Sequence, residues 1–416
     1  MDPATAEVGT RHVLEKLLNQ NILEHSVHQR FNGYNDIPTS LATVFLLGGS
    51  AAQLEAVYEV RKPNLQQWPL SPSPIYDVDA SYQHLGDAQF QRAYMSYFSF
   101  LHTNKGYAST IAWTASLLAQ TAGAGRTLMH GLFGQFGRSF VFLSDGMEVR
   151  SAPMIVQALT LAAVDWDENI QNLLLSCLSV SGEEIPRNPS PTLPPSWILL
   201  NLRLDGRFTG LQGPGISNIS AILGKPMLRV AIIKSVRALP ITDIPTTLRD
   251  LSRLSVLLAC ATHKSKQPAY DYYLARLPAL VLSLRVILRK FEPFWPIIGD
   301  QRPALIRGVW MLIVLAYVCQ LRPTIDEGVC LSSTPNWDQI LSDFHLSTQT
   351  LYEPGSKYQN ARFLKLLRSI YQLATYEDEP GQATFRKCAS SLTGQWTEWC
   401  GASWLRGGHF NLDVTL

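Results

Sequence analysis

Read for hydrophobic and polar positions, the chain is a succession of helical faces. The stretch "GTRHVLEKLLNQ" sets Val13, Leu14, Leu17 and Leu18 on one side. "PTSLATVFLLGG" carries Pro38 where a helix start tolerates proline, and Gly48 and Gly49 read as its stop. "SAAQLEAVYEVRK" begins with Ser50, an N-cap residue, ahead of Leu54, Val57 and Tyr58 at helical spacing. The same period returns in "DAQFQRAYMSYFSFLHTN", "STIAWTASLLAQTA", "APMIVQALTLAAVDW", "YDYYLARLPALVLSLRVILRKF" and "NARFLKLLRSIYQLATY". Alternating runs are few; "PSWILLNLRL" is the best strand candidate and is ambiguous. The pattern predicts a mainly α fold without a Rossmann sheet.

Two stretches interrupt the helices. "RKPNLQQWPLSPSPIYDVD" (Arg61–Asp79) is rich in proline and serine and reads as a long loop. "SGEEIPRNPSPTLPPSW" (Ser181–Trp197) holds five prolines and reads as a loop inside one domain, because apolar helices of the same character resume after it. The expected organisation is therefore one helical domain over residues 1–416.

Composition narrows the partners. Of 416 residues, 46% are hydrophobic and 16% charged, and the net charge is +2 with no long basic run. There is ample material for a core and no surface that would track a phosphate backbone, so nucleic acid is not an expected partner. The longest apolar run, "VWMLIVLAYVC" (Val309–Cys319), is too short to span a bilayer and reads as a buried helix; no membrane is expected. The N-terminus has no apolar secretory region, and six scattered cysteines form no CxxC pair. Buried reduced thiols in a cytoplasmic protein are the expectation.

Chemical signatures are sparse. No GxGxxG follows a strand, and GxxxxGK[ST], HExxH and GxSxG are missing. "GQFGR" and "LQGPGISN" are glycine-rich but lack the strand–helix frame that cradles a phosphate. "HSVH" sets His25 and His28 three apart, a weak metal signal alone.

A longer pattern goes further. "HQRFNGYNDIPTSLATVFLLGGSAAQLEAVYE" resembles the opening of the fungal questin oxidase-like family. Members of that family show an aromatic–Asn step, a GFHNHxxHH-like run, a helix ending in LGAS and a later tyrosine. Phe31, Asn32, Asn35, Leu47, Gly48, Ser50 and Tyr58 stand at matching places. "FGQFGRSFVFLSDGMEVRSAPMIVQALTLAAVDW" is similar to the family's central helix pair, with Glu148 in register. "YDYYLARLPALVLSL", "LAYVCQLRP", "NARFLKLLRSI" with Lys365, and the late "GGHF" resemble further segments. The resemblance covers most of the chain as a pattern. It implies a single, mainly α-helical domain acting on a small phenolic polyketide. Better-known members are Baeyer–Villiger-like or ring-cleaving oxygenases, some with iron held by histidines.

The departures from that pattern carry their own expectation. Histidine-rich positions read Tyr34, Asp36, Thr39 and Ser40, then Arg138, Phe142 and Asp165, and late in the chain Arg276 and Arg362. Asp36 and Asp165 remain as ligand candidates, but a guanidinium has no lone pair to donate to a metal. The resemblance to a fungal chalcone isomerase branch then implies a metal-free and cofactor-free isomerase that closes a ring by intramolecular oxa-Michael addition. In that expectation His28 is the base, Tyr34 donates a proton and Arg138 holds the enolate. Asp36, Phe142, Arg276, Arg362 and Lys365 bind substrate. The alternative is an oxygenase of an aromatic polyketide; a third reading is an inactive ligand-binding homologue. Each residue also has a plain structural role open to it: His28 as a satisfied histidine, Tyr34 and Asp36 as turn or cap residues, the arginines as ion-pair members, Lys365 as a solvated helix residue.

Overall fold

The amide of Gln53 donates to Ser50 Oγ at 3.3 Å, and the amide of Ser50 donates to Gln53 Oε1 at 2.8 Å. This reciprocal cap starts helix Ala51–Arg61 at the serine that the sequence marks. Just before it, Gly48 takes φ +80°. A Cβ on Gly49 would lie 2.5 Å from Val44 Cγ1, so the preceding helix Ile37–Leu46 stops at glycines for conformational and steric reasons together. Asp77, Ser109, Thr127, Ser151, Asp167 and Asp243 likewise cap the helices that follow them.

The computed structural model describes residues 3–29, 33–104, 109–121, 125–179, 193–264, 267–330, 334–346 and 356–401. Its elements are almost all helical, and the protein is a mainly α-helical single domain, as the periodicity predicts. Among the described residues the only strands are two-residue pieces. His28–Gln29 pairs antiparallel with Gly33–Tyr34, and Tyr270–Asp271 pairs parallel with Trp399–Cys400.

The ambiguous "PSWILLNLRL" is a helix, Pro195–Leu204. Its buried positions, Ile198, Leu199 and Leu202, recur at helical and not alternating spacing, and its leucines lose little rotamer freedom in a helix. The Pro-rich loop after Arg61 stays without α-helix until Val78. Most of the second Pro-rich stretch, and the "GGHF" near the end, lie outside the described residues.

The apolar run at Val309–Cys319 belongs to a longer helix, Arg302–Cys319, which is long and apolar enough by length and composition to cross a membrane. Its flanks from Leu305 onward are enclosed by protein, and 78% of it is buried. It is a core helix.

Four helices set the site. Ile37–Leu46 packs against Gly134–Glu148 and against Ala361–Ala374, and Leu277–Phe291 packs against the same two. Glycines allow the closest approaches. A Cβ on Gly131 would meet the carbonyl oxygen of Ala162 at 1.9 Å, and one on Gly134 that of Asp165 at 1.9 Å. The "GQFGR" stretch is thus a close-packing device that seats one helix on the end of helix Ala152–Val164. Gln135, Phe136 and Gly137 then take positive φ of 46°, 58° and 69°, a left-handed turn that re-aims the chain before Arg138.

Candidate functional site

The antiparallel register makes His28 and Tyr34 direct cross-strand partners, so their side chains leave the hairpin on one face. Gly33, paired with Gln29, enters the second strand at φ +74°, a value glycine adopts without strain. The His28 amide is pinned by Gln91 Oε1 at 2.9 Å, while its ring has no hydrogen-bond partner among the described residues. Burial, and then the neighbouring charge of Arg138, push the imidazole pKa below its usual value; Asp165 works in the opposite direction. His28 is therefore uncharged near neutral pH.

Tyr34 lies among cations. The Arg138 guanidinium sits over its ring, 4.5 Å from the centroid. Desolvation raises the Tyr34 hydroxyl pKa, and Asp36 adds to this; Arg276, Arg362 and Arg138 pull against it. The hydroxyl itself makes no hydrogen bond among the described residues. Arg362 lies 3.1 Å from the centroid of Tyr272, and its Nη1 donates to the Tyr272 carbonyl at 2.5 Å. Tyr272 and Tyr273 meet edge to face at 5.1 Å, and Tyr273 meets Phe136 at 5.8 Å, which gives the cationic site an aromatic flank.

The residues expected to act fall into two groups. Arg138, Asp165 and Asp36 are engaged with the fold. Arg138 donates from Nε and Nη2 to the two oxygens of Asp165 at 3.0 and 2.6 Å, both side chains being buried. Asp36 pairs with Arg61 at 2.7 Å, and Arg61 also reaches the Gln359 carbonyl. Thr39 and Ser40 bond back to the Asp36 carbonyl. Phe142, 1% exposed, is part of the hydrophobic core. The second group carries polarity that the fold does not use. His28, Tyr34 and Arg276 have polar side-chain atoms without hydrogen-bond or ion-pair partners among the described residues, and Arg276 is half-buried at the start of Leu277–Phe291.

Lys365 belongs to a buried charge cluster. Its Nζ and Arg368 Nη1 both reach Asp145 Oδ1, the latter at 2.6 Å, and Arg368 also binds Glu148. Asp145 and Arg368 were not singled out from the sequence. Their signal was available as spacing: Asp145 lies seven residues after Arg138, and Arg368 three after Lys365, on the same faces of their helices. The aromatic flank was equally legible as the unusual run "YDYY" at Tyr270–Tyr273.

The iron implied by the family resemblance does not fit these residues. The two carboxylates expected to remain as ligands are each held by a guanidinium, and one neutral imidazole is left beside them. Among the described residues no three His, Cys, Asp or Glu side chains converge as a metal site.

In this helical fold a hairpin sets Tyr34, cross-strand from His28, under the Arg138 guanidinium and within the charges of Arg276 and Arg362. The profile of the questin oxidase-like family matches residues 34–370, and the chain belongs to that family. It is also similar to a protein named Baeyer–Villiger monooxygenase AacuH from Aspergillus aculeatus, with 25% identity over 203 residues. That match covers 48% of this chain and 42% of the relative, so it spans less than half of the relative's length.

These similarities overturn the expectation of a chalcone isomerase-like enzyme. Its premise was that arginine in place of metal ligands converts a redox site to acid–base chemistry. That step was not forced, because oxygen insertion into a phenolic ketone also needs stabilised oxyanions. An oxidase family and a relative named as a monooxygenase favour the oxidoreductase that stood as the alternative.

Proposed function

We propose that the protein is an oxygenase of a small aromatic polyketide, of the Baeyer–Villiger type. The observation that carries this reading is a set of unspent polar groups in a chain of the questin oxidase-like family: His28, paired across the hairpin with Tyr34, and Arg276, whose charge acts on the Tyr34 hydroxyl. Groups that are not used to hold the fold are available to hold a substrate.

The division of labour follows from the chemistry. His28, uncharged, takes the proton of a substrate phenol. The resulting phenolate lies against Arg276 and Arg362, whose charges already act on the Tyr34 hydroxyl. Oxygen insertion beside a carbonyl places negative charge on the carbonyl oxygen, and a guanidinium with Tyr34 as donor stabilises it. Tyr272, Tyr273 and Phe136 supply flat apolar surface for aromatic rings. Arg138, locked to Asp165, keeps the local field positive and lowers the His28 pKa.

The reaction written in full is substrate plus O2, two electrons and two protons giving an oxygen-inserted ester and water. The electrons come from a nicotinamide donor or from a hydroquinone form of the substrate. The test is incubation of the purified protein with a hydroxyanthraquinone, with and without NADPH, under monitored oxygen. Oxygen uptake with a product one oxygen atom heavier supports the reading. A product isomeric with the substrate, formed without oxygen uptake, overturns it.

A further inference from the structure

We infer that Lys365 is a further residue of the same site, the group that returns a proton to the substrate oxyanion, and that Asp145, Arg368 and Glu148 hold it in place. This rests on the oxygenase reading above and adds a residue to it.

The argument starts from helix faces. On helix Gly134–Glu148, Arg138, Phe142 and Asp145 follow one another at spacings of four and three, so they share a face. On helix Ala361–Ala374, Arg362, Lys365 and Arg368 follow at spacings of three. Arg138 and Arg362 both act on Tyr34, and Asp145 meets Lys365 and Arg368. The two helices therefore run in the same direction, bridged by these long side chains, while Ile37–Leu46 and Leu277–Phe291 pack against both. Lys365 lies one turn, about 4.5 Å along the axis, beyond Arg362.

The cluster treats its two cations differently. Arg368 is fully buried, donates to Asp145 and Glu148, and ties the two carboxylates together. Lys365 keeps a side-chain accessibility of 13% and has Asp145 as its ion-pair partner. Asp145 Oδ2, buried, has no hydrogen-bond partner. The fold thus fixes the carboxylate with an arginine that cannot titrate and leaves the lysine at the accessible edge. Burial, and next the charge of Arg368, lower the Lys365 pKa to about 8, while Asp145 and Glu148 resist the fall. An ammonium of this kind is protonated at pH 7 and gives its proton readily.

The remaining neighbours leave this assignment unchanged. Helix Ile37–Leu46 has no ionisable side chain. On Leu277–Phe291, Arg285 donates to Ser252 Oγ and lies over Tyr376, and Arg289 and Lys290 are in the last turn; Arg276 precedes the helix. On Glu379–Gln395, Arg386 pairs with Glu379, Lys387 is a further cation, and Cys388 contacts Cys330. Lys357 donates to the Thr393 carbonyl. The proton step balances without a co-reactant: the ammonium N–H bond breaks, the substrate O–H bond forms, and a neutral amine remains beside Asp145.

Two measurements on the full chain test this. The first is competitive labelling of lysines with acetic anhydride across pH, read by mass spectrometry, with and without a hydroxyanthraquinone. Lys365 should label with a midpoint near pH 8 and be protected by the phenol. The second is the pH profile of kcat for Lys365→Met, Lys365→Arg and Asp145→Asn. The parent should lose rate as pH rises through about 8. Lys365→Met should lose about 10²–10⁴-fold with that limb gone. Lys365→Arg should stay slow despite keeping the charge, and Asp145→Asn should move the limb to lower pH. Full activity of Lys365→Arg with an unchanged limb, or labelling that the phenol does not affect, overturns the inference. Protection by the phenol in a protein that takes up no oxygen supports the place of Lys365 and overturns the oxygenase reading instead.

Discussion

Two arginines whose charges act on Tyr34 separate structure from function at the scale of single residues. Arg138 is buried in a bidentate pair with Asp165. Its replacement by Gln strands a buried carboxylate and should cost about 3–5 kcal/mol of stability, visible as a lowered urea midpoint. Arg276 has no ion-pair or hydrogen-bond partner among the described residues. Arg276→Gln should leave the urea midpoint in place while lowering kcat/KM about 10²-fold, as expected for one lost oxyanion donor. A large loss of stability in Arg276→Gln would show that it serves the fold. His28 gives the pH dependence its acid side. Its pKa lies below 6.5, so the base is free at neutral pH and lost only as pH falls through that lower value. Replacement by Gln should remove about 10²–10⁴-fold of kcat together with the acid limb of the profile. The sequence made His28, Tyr34 and Arg276 visible as candidates. It did not reveal that Arg138, Asp165 and Asp36 are satisfied by ion pairs, because partners 25 or 27 residues away leave no local mark.

At the scale of elements, short-range chemistry was the most legible. The Ser50 cap, the Pro38 start and the Gly48–Gly49 stop are local rules that the structure follows. The hairpin that pairs His28 with Tyr34 was less legible, since a two-residue strand has no periodicity to read. Helix Pro195–Leu204 stayed ambiguous in the sequence because its short apolar run fits either period. The glycines before Arg138 make a sharper prediction. Gly134→Ala would set a methyl 1.9 Å from the Asp165 carbonyl oxygen, and backbone cannot move aside cheaply. It should destabilise the fold by at least about 1–3 kcal/mol in denaturant unfolding. It should also disturb the Arg138–Asp165 pair, whereas Gly210→Ala, with nothing within 4 Å, should be close to neutral.

At the scale of the whole molecule, helical periodicity led to the correct class of fold, and helix packing places the candidate site residues. The charges of Arg276 and Arg362 reach Tyr34 because helix Ala361–Ala374 packs against both Ile37–Leu46 and Leu277–Phe291. Sequence pattern alone cannot show that convergence, which is a property of the assembled domain. The same distance between pattern and assembly explains the misplaced chemistry: lost histidines were visible, but the retained demand for oxyanion stabilisation, common to isomerisation and oxygenation, was not a discriminator. The measurement that addresses the central claim most directly is isotope tracing with ¹⁸O2 and a hydroxyanthraquinone. The oxygenase reading predicts one ¹⁸O atom in the product and one in water, in equal amounts. A product that carries no label and has the mass of the substrate would contradict it.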